Sequence, residues 1–565
     1  MESLFGNAGQ FSDVTNAFLR FCFPILALLI LARCVRSLLL FRKEPEIWGW
    51  LIGPDGTRYP VTHWETLVGR AKNCDVVLNY PTISRTHAVL TRYDDGSWTI
   101  SDVGSKGGIR VNNVPISIEE VQFGDAISIG GVMFRLQPIT KQQEKMQAAN
   151  RTKAGSGTWS SITLVLLTVF QVLAGFQLTL ETASVSVFTA FSLLIAIEWA
   201  LYTFTKLLRR SGFEVETIAF FLSTLGLSVI ASGSPEDMIK QLICIAAGIV
   251  VYLVICWALR DLERAKKLRY VAAAVGIMLL AVNLVLGEEI NGARNWIKVG
   301  GFSFQPSELV KLCFIFTGAS TLQRIMTKRN MILFIAYSAV ICGCLVLLND
   351  FGTALIFFTA FLTIAYMRSG NFATIGLIIA ATAMAAVMAF QFVPHIIDRF
   401  SAWGNVWEHA QNTGYQQTRA MMCIASGGLF GLGAGRGWLH YVAASDTDLI
   451  FAFIAEEWGL LMSVFMVLFL VCLAAFVIKS SALSRSSFYT ISACAAAAIL
   501  LVQMILNIFG TVDLLPLTGV TFPFVSNGGS SMIACWGLLA FIKAADTRQN
   551  ASMAIRLSSK NVEEM

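Results

Sequence analysis

Apolar segments recur along most of this 565-residue chain, each of roughly 17 to 25 residues and so long enough to cross a bilayer. Hydrophobic residues make up 55% of the chain and charged residues 14%, and the mean hydropathy of +0.65 excludes a soluble globular protein. We therefore predict a polytopic α-helical membrane protein with about 13 spans. They lie near 18–40, 159–180, 184–206, 214–232, 237–259, 268–287, 306–323, 331–348, 352–368, 372–393, 449–478, 486–510 and 528–546.

The basic residues predict which ends of the spans face the cytoplasm. They concentrate in alternate loops, at 207–213, 260–269, 324–330, Arg368, 479–485 and 543–548. Short loops rich in Lys and Arg stay inside, so we expect the N-terminus outside and the C-terminus in the cytoplasm. This topology also accounts for the net charge of +6, and we predict no nucleic-acid partner. The 12 cysteines form no CxxC pair, which argues against a disulfide framework or a metal knuckle.

Residues 46–138 have a different character. Short strand-like pieces such as CDVVLN, HAVLTRY and VMFRLQ alternate with turn signals, notably Asp94-Asp95-Gly96 and Asn112-Asn113. They predict an all-β domain, placed in the cytoplasm by the basic loops. A polar linker, 139–158, leads to the remaining spans.

Several spaced motifs cover this β domain: Gly69-Arg70, Ser84-Arg85-Thr86-His87, Asp102 to Gly108, Val111-Asn112 and Gly124-Asp125. Together they resemble the forkhead-associated (FHA) domain, a β-sandwich whose loops bind phosphothreonine peptides. The resemblance implies that Arg70 and Ser84 hold the phosphate, that Arg85 and Lys106 add to the site, and that His87 braces the loop. Lys106-Gly107-Gly108 stands where the family has Thr-Asn-Gly, so an Asn that normally holds the peptide backbone is lost. A structural sandwich that ignores phosphate is the alternative.

Residues 402–458 form a long polar, Gly-rich and Trp-bearing segment between two apolar runs. Its irregular backbone cannot face lipid, so it must line a pocket or lie in water at the membrane surface. A second feature is Glu308 and Lys311 near the start of an apolar helix. Ionisable groups at that depth face a cavity or one another, although an interfacial i,i+3 ion pair is an equal alternative.

Further patches extend this pattern, and they are listed here in chain order: GARNW, QPSELVK, Asn349 to Ala354, Gly414-Tyr415-Gln416, Thr447 to Ala452, Glu456 to Gly459, Asn507-Ile508, Leu515 to Gly519 and Pro523 to Ser531. Over about residues 214–546 they resemble the shape, elongation, division and sporulation (SEDS) family, which includes FtsW and RodA. The family implies ten spans in the bacterial cytoplasmic membrane. It also implies a peptidoglycan glycosyltransferase that polymerises lipid II outside, beside a class B penicillin-binding transpeptidase.

The two resemblances predict a division of the chain. The expected parts are an N-terminal transmembrane helix at 1–45, the FHA domain at 46–138, the linker at 139–158, two accessory helices at 159–213, the SEDS domain at 214–550 and a cytoplasmic tail at 551–565. We expect a phosphothreonine-bearing protein to recruit or gate the membrane domain.

The reaction requires a base for the acceptor hydroxyl and positive charge for the leaving diphosphate. The predicted diphosphate partners are Arg294, Lys298, Lys311 and Arg419, with a divalent cation on Asp350 or another outer carboxylate as an option. Sugar faces would stack on Trp296, Trp403 or Trp407, unless these only anchor loops at the interface. The full substrate set also includes Glu308 and Asp448.

The family's catalytic Asp aligns with His409 in this chain. Three explanations follow: His409 is a neutral base, because imidazole titrates near neutral pH; Glu408 has replaced it; or the chain is a non-catalytic scaffold of the cell-wall machinery. A lipid-linked substrate translocator is a fourth, weaker reading. The other departures are Arg419-Ala420 for Gln-Ser, Val442 to Asp446 for Leu-Pro-Glu, and Asn295 for a second Arg.

Overall fold

The computed structural model describes residues 2–40, 46–72, 74–93, 96–153, 158–260, 262–290, 293–299, 302–323, 328–369, 376, 378–380, 403–481, 484 and 486–548. Its helices in the N-terminal part are α1 (Glu2–Leu39), α2 (Lys141–Lys153), α3 (Thr158–Thr182), α4 (Val185–Leu207), α5 (Glu214–Gly233), α6 (Met238–Ala258) and α7 (Leu262–Leu286). Those that follow are α8 (Pro306–Gln323), α9 (Lys328–Leu347), α10 (Phe351–Ser369), α11 (Tyr415–Gly427), α12 (Ile450–Glu457), α13 (Leu460–Ser481), α14 (Ser487–Thr511) and α15 (Gly529–Ala544).

Within the described ranges, nine helices are long and apolar enough to span a membrane, and two shorter apolar helices accompany them. The predicted polytopic α-helical membrane fold is thus confirmed, and the chain is a multi-pass membrane protein. The predicted span 372–393 lies largely outside the described residues, and the tail 551–565 lies wholly outside them.

One predicted span is wrong in detail. The run 449–478 was expected as a single helix, but it divides into α12 and α13 at Gly459, whose φ is +89°. An added Cβ at Gly459 would lie 2.4 Å from the Leu429 carbonyl oxygen, so a returning loop passes closely there. A positive φ and this close approach require glycine and end the helix. Apolar content alone does not reveal such a break.

The β domain is a sandwich of two sheets, as the sequence predicts. Its strands are β1 (Gly49–Ile52), β2 (Arg58–Val61), β3 (Glu65–Gly69), β4 (Val76–Val77), β5 (Ala88–Arg92), β6 (Trp98–Asp102), β7 (Ile109–Val111), β8 (Val114–Ile116), β9 (Ile118–Val121), β10 (Ala126–Ile129) and β11 (Val132–Gln137). One sheet has the order β2-β1-β11-β10-β7-β8 and the other β4-β3-β5-β6-β9. Alternate side chains of both sheets, such as Leu51, Leu90, Trp98 and Phe134, fill the core between them.

Two predicted turns of the sandwich have different outcomes. Asn112 and Asn113 both have positive φ, of 50° and 71°, and connect β7 to β8 as a two-residue hairpin, as predicted. Asp94-Asp95 lies outside the described residues.

Residues expected to be only loop form a small antiparallel sheet before α8. Its strands are β12 (Glu288–Ile290), β13 (Ala293–Val299) and β14 (Phe302–Phe304), with β13 in the centre. This sheet fixes the chain that enters α8, and so it positions one wall of the site described below.

The first membrane helices pack onto the rest of the helical domain. Helix α1 contacts α3 and α13, and α3 contacts α5. Near their middle, the ring of Phe23 lies 5.2 Å from that of Phe170 and 4.8 Å from that of Trp458. At the end of the helices nearer the sandwich, Lys479 donates to the Leu39 carbonyl and Arg548 donates to Ser37 Oγ at 3.1 Å. Helix α1 is therefore held along its length.

Candidate functional site

A cavity of about 400 Å³ opens at the end of the helical domain opposite the sandwich. Four chain segments form it: the β13–α8 region, the start of α10, the turn before α12 and the loop before α15. Its lining residues are Asn295, Trp296, Lys298, Ser303, Gln305, Glu308, Asn349, Asp350, Phe351, Gly352, Thr353, Ile356, Ala444, Thr447, Asp448, Thr518, Gly519, Val520, Thr521, Asn527, Gly528, Ser530 and Ser531. Five residues of the predicted substrate set are among them.

Asp350 lies at the start of α10 and is buried. Its Oδ1 accepts the backbone N–H of Thr353 at 3.1 Å, which caps the helix. Its Oδ2 accepts from Asn295 Nδ2 at 3.0 Å and from Gln305 Nε2 at 3.1 Å. The carboxylate is therefore fixed by three donors from three different segments, and this fixes the cavity wall.

Glu308 and Lys311 form a buried ion pair one turn into α8. Lys311 Nζ lies 2.7 Å from Glu308 Oε1, and the two side chains are 1% and 5% exposed. Glu308 lines the cavity, whereas Lys311 is not among the described lining residues. Both alternatives for this pair therefore hold together: the two groups neutralise each other, and the carboxylate faces a cavity.

Three buried oxygens in the cavity lining have no hydrogen-bond partner within the part of the chain that the structure describes. They are Asn295 Oδ1, Glu308 Oε2 and Thr518 Oγ1. Leaving a buried polar atom unpaired costs free energy, so each is a position where a ligand's donor gains a bond. The lining thus suits a ligand that carries several O–H or N–H groups.

Asp448 lines the cavity from the turn before α12. Its backbone carbonyl accepts from Asn507 Nδ2 at 3.1 Å, and the same amide donates to Val520 O at 2.9 Å. One side chain of α14 therefore joins the two loops on that side of the cavity. A second link lies nearby, where Asn527 Nδ2 donates to Asp446 Oδ2 at 2.8 Å.

The other predicted cationic and aromatic residues lie at or beyond the rim. Trp296 and Lys298 line the cavity, and Lys298 Nζ is 2.8 Å from Glu288 Oε2 in a pair exposed to solvent. Arg294 is exposed, and its Nε donates to the Gly287 carbonyl at 2.9 Å instead of reaching the lining. The exposed rings of Trp403 and Trp407 are not among the described lining residues either.

Glu408 and His409 lie on an exposed turn that precedes α11, and neither is among the described lining residues. Helix α11 is attached beside the cavity, because Gln416 Nε2 donates to the Ala443 carbonyl at 2.8 Å and Ala444 is a lining residue. Arg419 on the same helix lies 5.1 Å above the Tyr415 ring, outside the lining. The turn therefore precedes a helix that is attached beside the cavity, and its own side chains lie outside the described lining.

Sequence reasoning missed the part played by Glu456 and Glu457, which appeared only as part of a family pattern. Both are fully buried at the end of α12. Glu456 accepts from the backbone N–H groups of Trp438 and Leu439. Glu457 Oε2 accepts from the backbone N–H of Gly435 and from the side-chain hydroxyl of Ser232. These carboxylates hold the loop that leads to the Asp448 turn. The adjacent acidic pair in an apolar run was the available signal.

A second candidate site lies on the sandwich, where His87 is fully buried beneath two loops. Ser84 N–H donates to His87 Nδ1 at 3.0 Å, so the proton must be on Nε2, which donates to the Gly108 carbonyl at 3.0 Å. One neutral imidazole thus joins the Ser84 loop to the Lys106 loop.

The predicted phosphate-binding residues surround this imidazole. Lys106 N–H donates to Ser84 Oγ at 3.0 Å, which leaves the hydroxyl proton available to an anion. Arg70 N–H donates to the Ser84 carbonyl at 3.0 Å, so the third loop is joined to the same point. The side chains of Arg70, Arg85 and Lys106 are exposed. The arrangement brings cationic groups and a hydroxyl to one end of the sandwich.

Asp125 stabilises a turn in this domain. Its Oδ1 accepts from Asn112 Nδ2 at 3.0 Å and its Oδ2 from Gln122 N–H at 2.7 Å. These two hydrogen bonds hold the pKa of the Asp125 carboxyl below its ordinary value.

Comparisons with known proteins identify the families to which the two parts of the chain are similar. The profile of the cell cycle protein family FtsW/RodA/SpoVE matches residues 217–551, and that of the FHA domain matches residues 66–130. The peptidoglycan glycosyltransferase RodA of Mycobacterium bovis is 29% identical over 324 residues, which is 54% of this chain and 69% of the relative. A probable peptidoglycan glycosyltransferase FtsW of Tolumonas auensis is 30% identical over 58% of this chain and 90% of its own length. A solved chain of a peptidoglycan synthase complex is 25% identical over 60% of this chain and 98% of its own, with a TM-score of 0.49. Because the family profile covers more than half of the chain, the chain belongs to the FtsW/RodA/SpoVE (SEDS) family, and it carries an FHA domain ahead of its family region.

Proposed function

We propose that this protein is a peptidoglycan glycosyltransferase that polymerises lipid II at the outer face of the cytoplasmic membrane. The observation that carries the proposal is the cavity, whose four walls come from the segments that mark the family in the sequence. It combines three carboxylates with unpaired acceptor oxygens, which suit the many hydroxyl and amide donors of an amino-sugar substrate.

The orientation is supported by the distribution of charge. Lys479, Lys543 and Arg548 lie at the end of the helices nearer the sandwich, and the cavity lies at the other end. Because basic ends stay inside, the FHA domain is cytoplasmic and the cavity faces outward. The N-terminus is then outside and the C-terminus inside.

In the proposed reaction, the acceptor hydroxyl oxygen bonds to the anomeric carbon of the donor while the bond from that carbon to the diphosphate breaks. The hydroxyl proton passes to a base, for which we propose His409 or its neighbour Glu408 on the turn that precedes α11. The lining oxygens of Asn295, Glu308 and Thr518 orient the sugars. Lys298 at the rim, with Arg294 and Arg419 beyond it, offers positive charge to the leaving diphosphate.

A divalent cation is a further element of the proposal. Asp350 and Asp448 line the same cavity and suit a hard cation shared with diphosphate oxygens, which would neutralise the leaving group. In the described residues, no three His, Cys, Asp or Glu side chains form a cluster that could hold a metal alone. The protein would then supply one or two carboxylates and the substrate would supply the other ligands.

We propose two protein partners. A class B penicillin-binding transpeptidase would crosslink the glycan outside, and a phosphothreonine-bearing protein would bind the FHA domain in the cytoplasm. The latter is supported by the Ser84, Arg70 and Lys106 arrangement, since charge-assisted bonds to a phosphate dianion are strong. Replacing Arg70 with Ala should abolish binding of phosphothreonine peptides, and unchanged binding would argue for a phosphate-blind sandwich.

The decisive experiment is polymerisation of labelled lipid II by the purified protein, alone and with candidate transpeptidases. Variants Asp448→Asn, His409→Ala and Glu408→Ala separate the cavity from the two proposed bases. Loss of product in His409→Ala with retention in Glu408→Ala assigns the base to the histidine, and the reverse assigns it to the glutamate.

A non-catalytic scaffold is a second candidate. It is favoured by the histidine at the position of the family's catalytic Asp and by the exposure of that turn outside the cavity lining. A scaffold would make no glycan with any transpeptidase, yet would still bind one.

A further inference from the structure

The FHA domain contacts the helical domain through one acidic side chain at the start of β3. Ser487 Oγ donates to Glu65 Oε2 at 2.6 Å, across 422 residues of sequence. Ser487 is the first residue of α14, and Ser486 before it caps that helix. A carboxylate at a helix N-terminus is also favoured by the helix dipole, so the contact stabilises the inner end of α14.

The helix that Glu65 contacts supports a second helix. Helices α10 and α14 pack against each other. Glu65 therefore holds the inner end of α14 directly, and α14 carries this restraint to its neighbour α10.

The outer ends of the same two helices carry cavity groups. Helix α10 is capped by Asp350, and α14 presents Asn507 and Thr511, which donate to the Asp448 carbonyl. Helix α14 has 25 residues and so spans about 37 Å as a rigid rod. Helix α14, which the FHA domain contacts, thus positions Asp448, and its neighbour α10 positions Asp350.

The phosphate-binding loops lie at the other end of the sandwich. Strand β3 runs from Glu65 to Gly69, and Arg70 follows it, so the two ends are separated by about 17 Å. The domain's connections to the membrane lie on the Glu65 side, where Gly49 pairs with Val61. A phosphopeptide can therefore bind while Glu65 holds Ser487.

We propose that Glu65 seats the FHA domain on the cytoplasmic end of α14, which packs against α10, and that this seating holds Asp350 and Asp448 in place across the membrane. The protein then has two states. In the seated state Glu65 contacts Ser487 and the cavity is assembled; in the unseated state this contact is broken. The consequence for catalysis rests on the proposed function, whereas the mechanical link does not.

Amide hydrogen exchange of the full-length protein tests the link without any substrate. In Glu65→Lys, exchange of 486–491 at the inner end and of 444–449 and 350–354 at the outer end should accelerate about tenfold or more, the effect of one lost hydrogen bond to a charged group. Glu120→Lys is the matched control, because Glu120 is exposed on β9 of the same sheet and should change neither end. Exchange of the β5 and β6 amides reports whether the sandwich still folds.

Ser487→Ala removes the same hydrogen bond from the α14 side. It therefore tests the proposed seating even if Glu65→Lys disturbs the fold of the sandwich. If Ser487→Ala leaves amide exchange unchanged at both ends, the proposed seating is overturned. If exchange accelerates only at 486–491, the proposed coupling to Asp350 and Asp448 is overturned. Polymerase activity should fall in both variants with phosphopeptide affinity retained. A wild-type protein that makes no glycan but shows the coupled exchange would refute the proposed function and leave the seating intact.

Discussion

The guanidinium of Arg436 lies 2.7 Å from the Glu181 carboxylate and joins residues 255 positions apart in sequence. The Arg436 Nη2 atom that contacts Glu181 also lies 2.7 Å from Asp13 Oδ1. Arg436 belongs to the loop held by Glu456 and Glu457, whereas Asp13 and Glu181 belong to α1 and α3. Ion pairs therefore link the N-terminal helix α1 and the accessory helix α3 to the loop that leads to the cavity.

Replacing Arg436 with Gln should loosen this link and lower stability by about 1 kcal/mol, the range of a partly exposed charged hydrogen-bond network. Thermal unfolding in detergent measures the change. Lys240→Gln is the control, because its pair with Asp237 is exposed and its loss should leave the melting temperature unchanged. Equal melting temperatures for Arg436→Gln and the control would contradict a stabilising role of the Arg436 ion pairs.

Asp350→Ala removes a helix cap and leaves two amides, on Asn295 and Gln305, without their acceptor. The cap alone is worth about 1 kcal/mol, and the unpaired amides add to the loss. Chemical denaturation, followed with a probe at the start of α10, should show a lower free energy of unfolding for the variant. Asp350→Asn keeps one side-chain oxygen as an acceptor and should therefore lose less stability than Asp350→Ala. A greater loss of stability in Asp350→Asn than in Asp350→Ala would argue against the capping role.

The Glu308–Lys311 pair offers a sharper stability test. Lys311→Met leaves a buried carboxylate uncompensated and should cost about 3 to 5 kcal/mol. Adding Glu308→Gln to that variant removes the stranded charge and should recover most of the loss. A double variant no more stable than Lys311→Met would mean that the two charges are not coupled.

The Asp125 turn predicts a pH dependence of the FHA domain. Because hydrogen bonds lower its folded pKa, Asp125 contributes stability above its unfolded pKa of about 3.9, and this contribution disappears as pH falls through the folded value. Asp125→Asn should therefore be less stable than wild type at neutral pH, and the difference should shrink as the pH falls through the folded pKa of Asp125. Amide exchange of β7 and β10 as a function of pH provides the measurement; a constant difference at every pH would rule out Asp125 as the source.

Local patterns predicted the helices well, because each apolar run must satisfy its own backbone in lipid. The predicted span 486–510 corresponds to the helix Ser487–Thr511. The i,i+3 spacing of Glu308 and Lys311 made their pairing one of two alternatives, and the structure shows the pair. The sandwich followed from alternation and turn residues.

Contacts between distant segments were not predictable from one sequence. Asn507 links two loops, one of them about 60 residues away, and Glu65 meets Ser487 across 422 residues. Nothing local distinguishes such side chains from other polar residues. The break at Gly459 was hidden for the same reason, since the loop that forces it comes from Leu429.

Glycan synthesis in the cavity is tested most directly by gel analysis of polymer formed from labelled lipid II by wild type, Ser303→Trp and Ser426→Trp, each with its transpeptidase. Ser303 lines the cavity and Ser426 is exposed on α11 outside the lining, so the same bulky residue fills the cavity in only one variant. We predict polymer from wild type and Ser426→Trp and none from Ser303→Trp. Absence of polymer from wild type with every transpeptidase, or full activity in Ser303→Trp, would contradict the account.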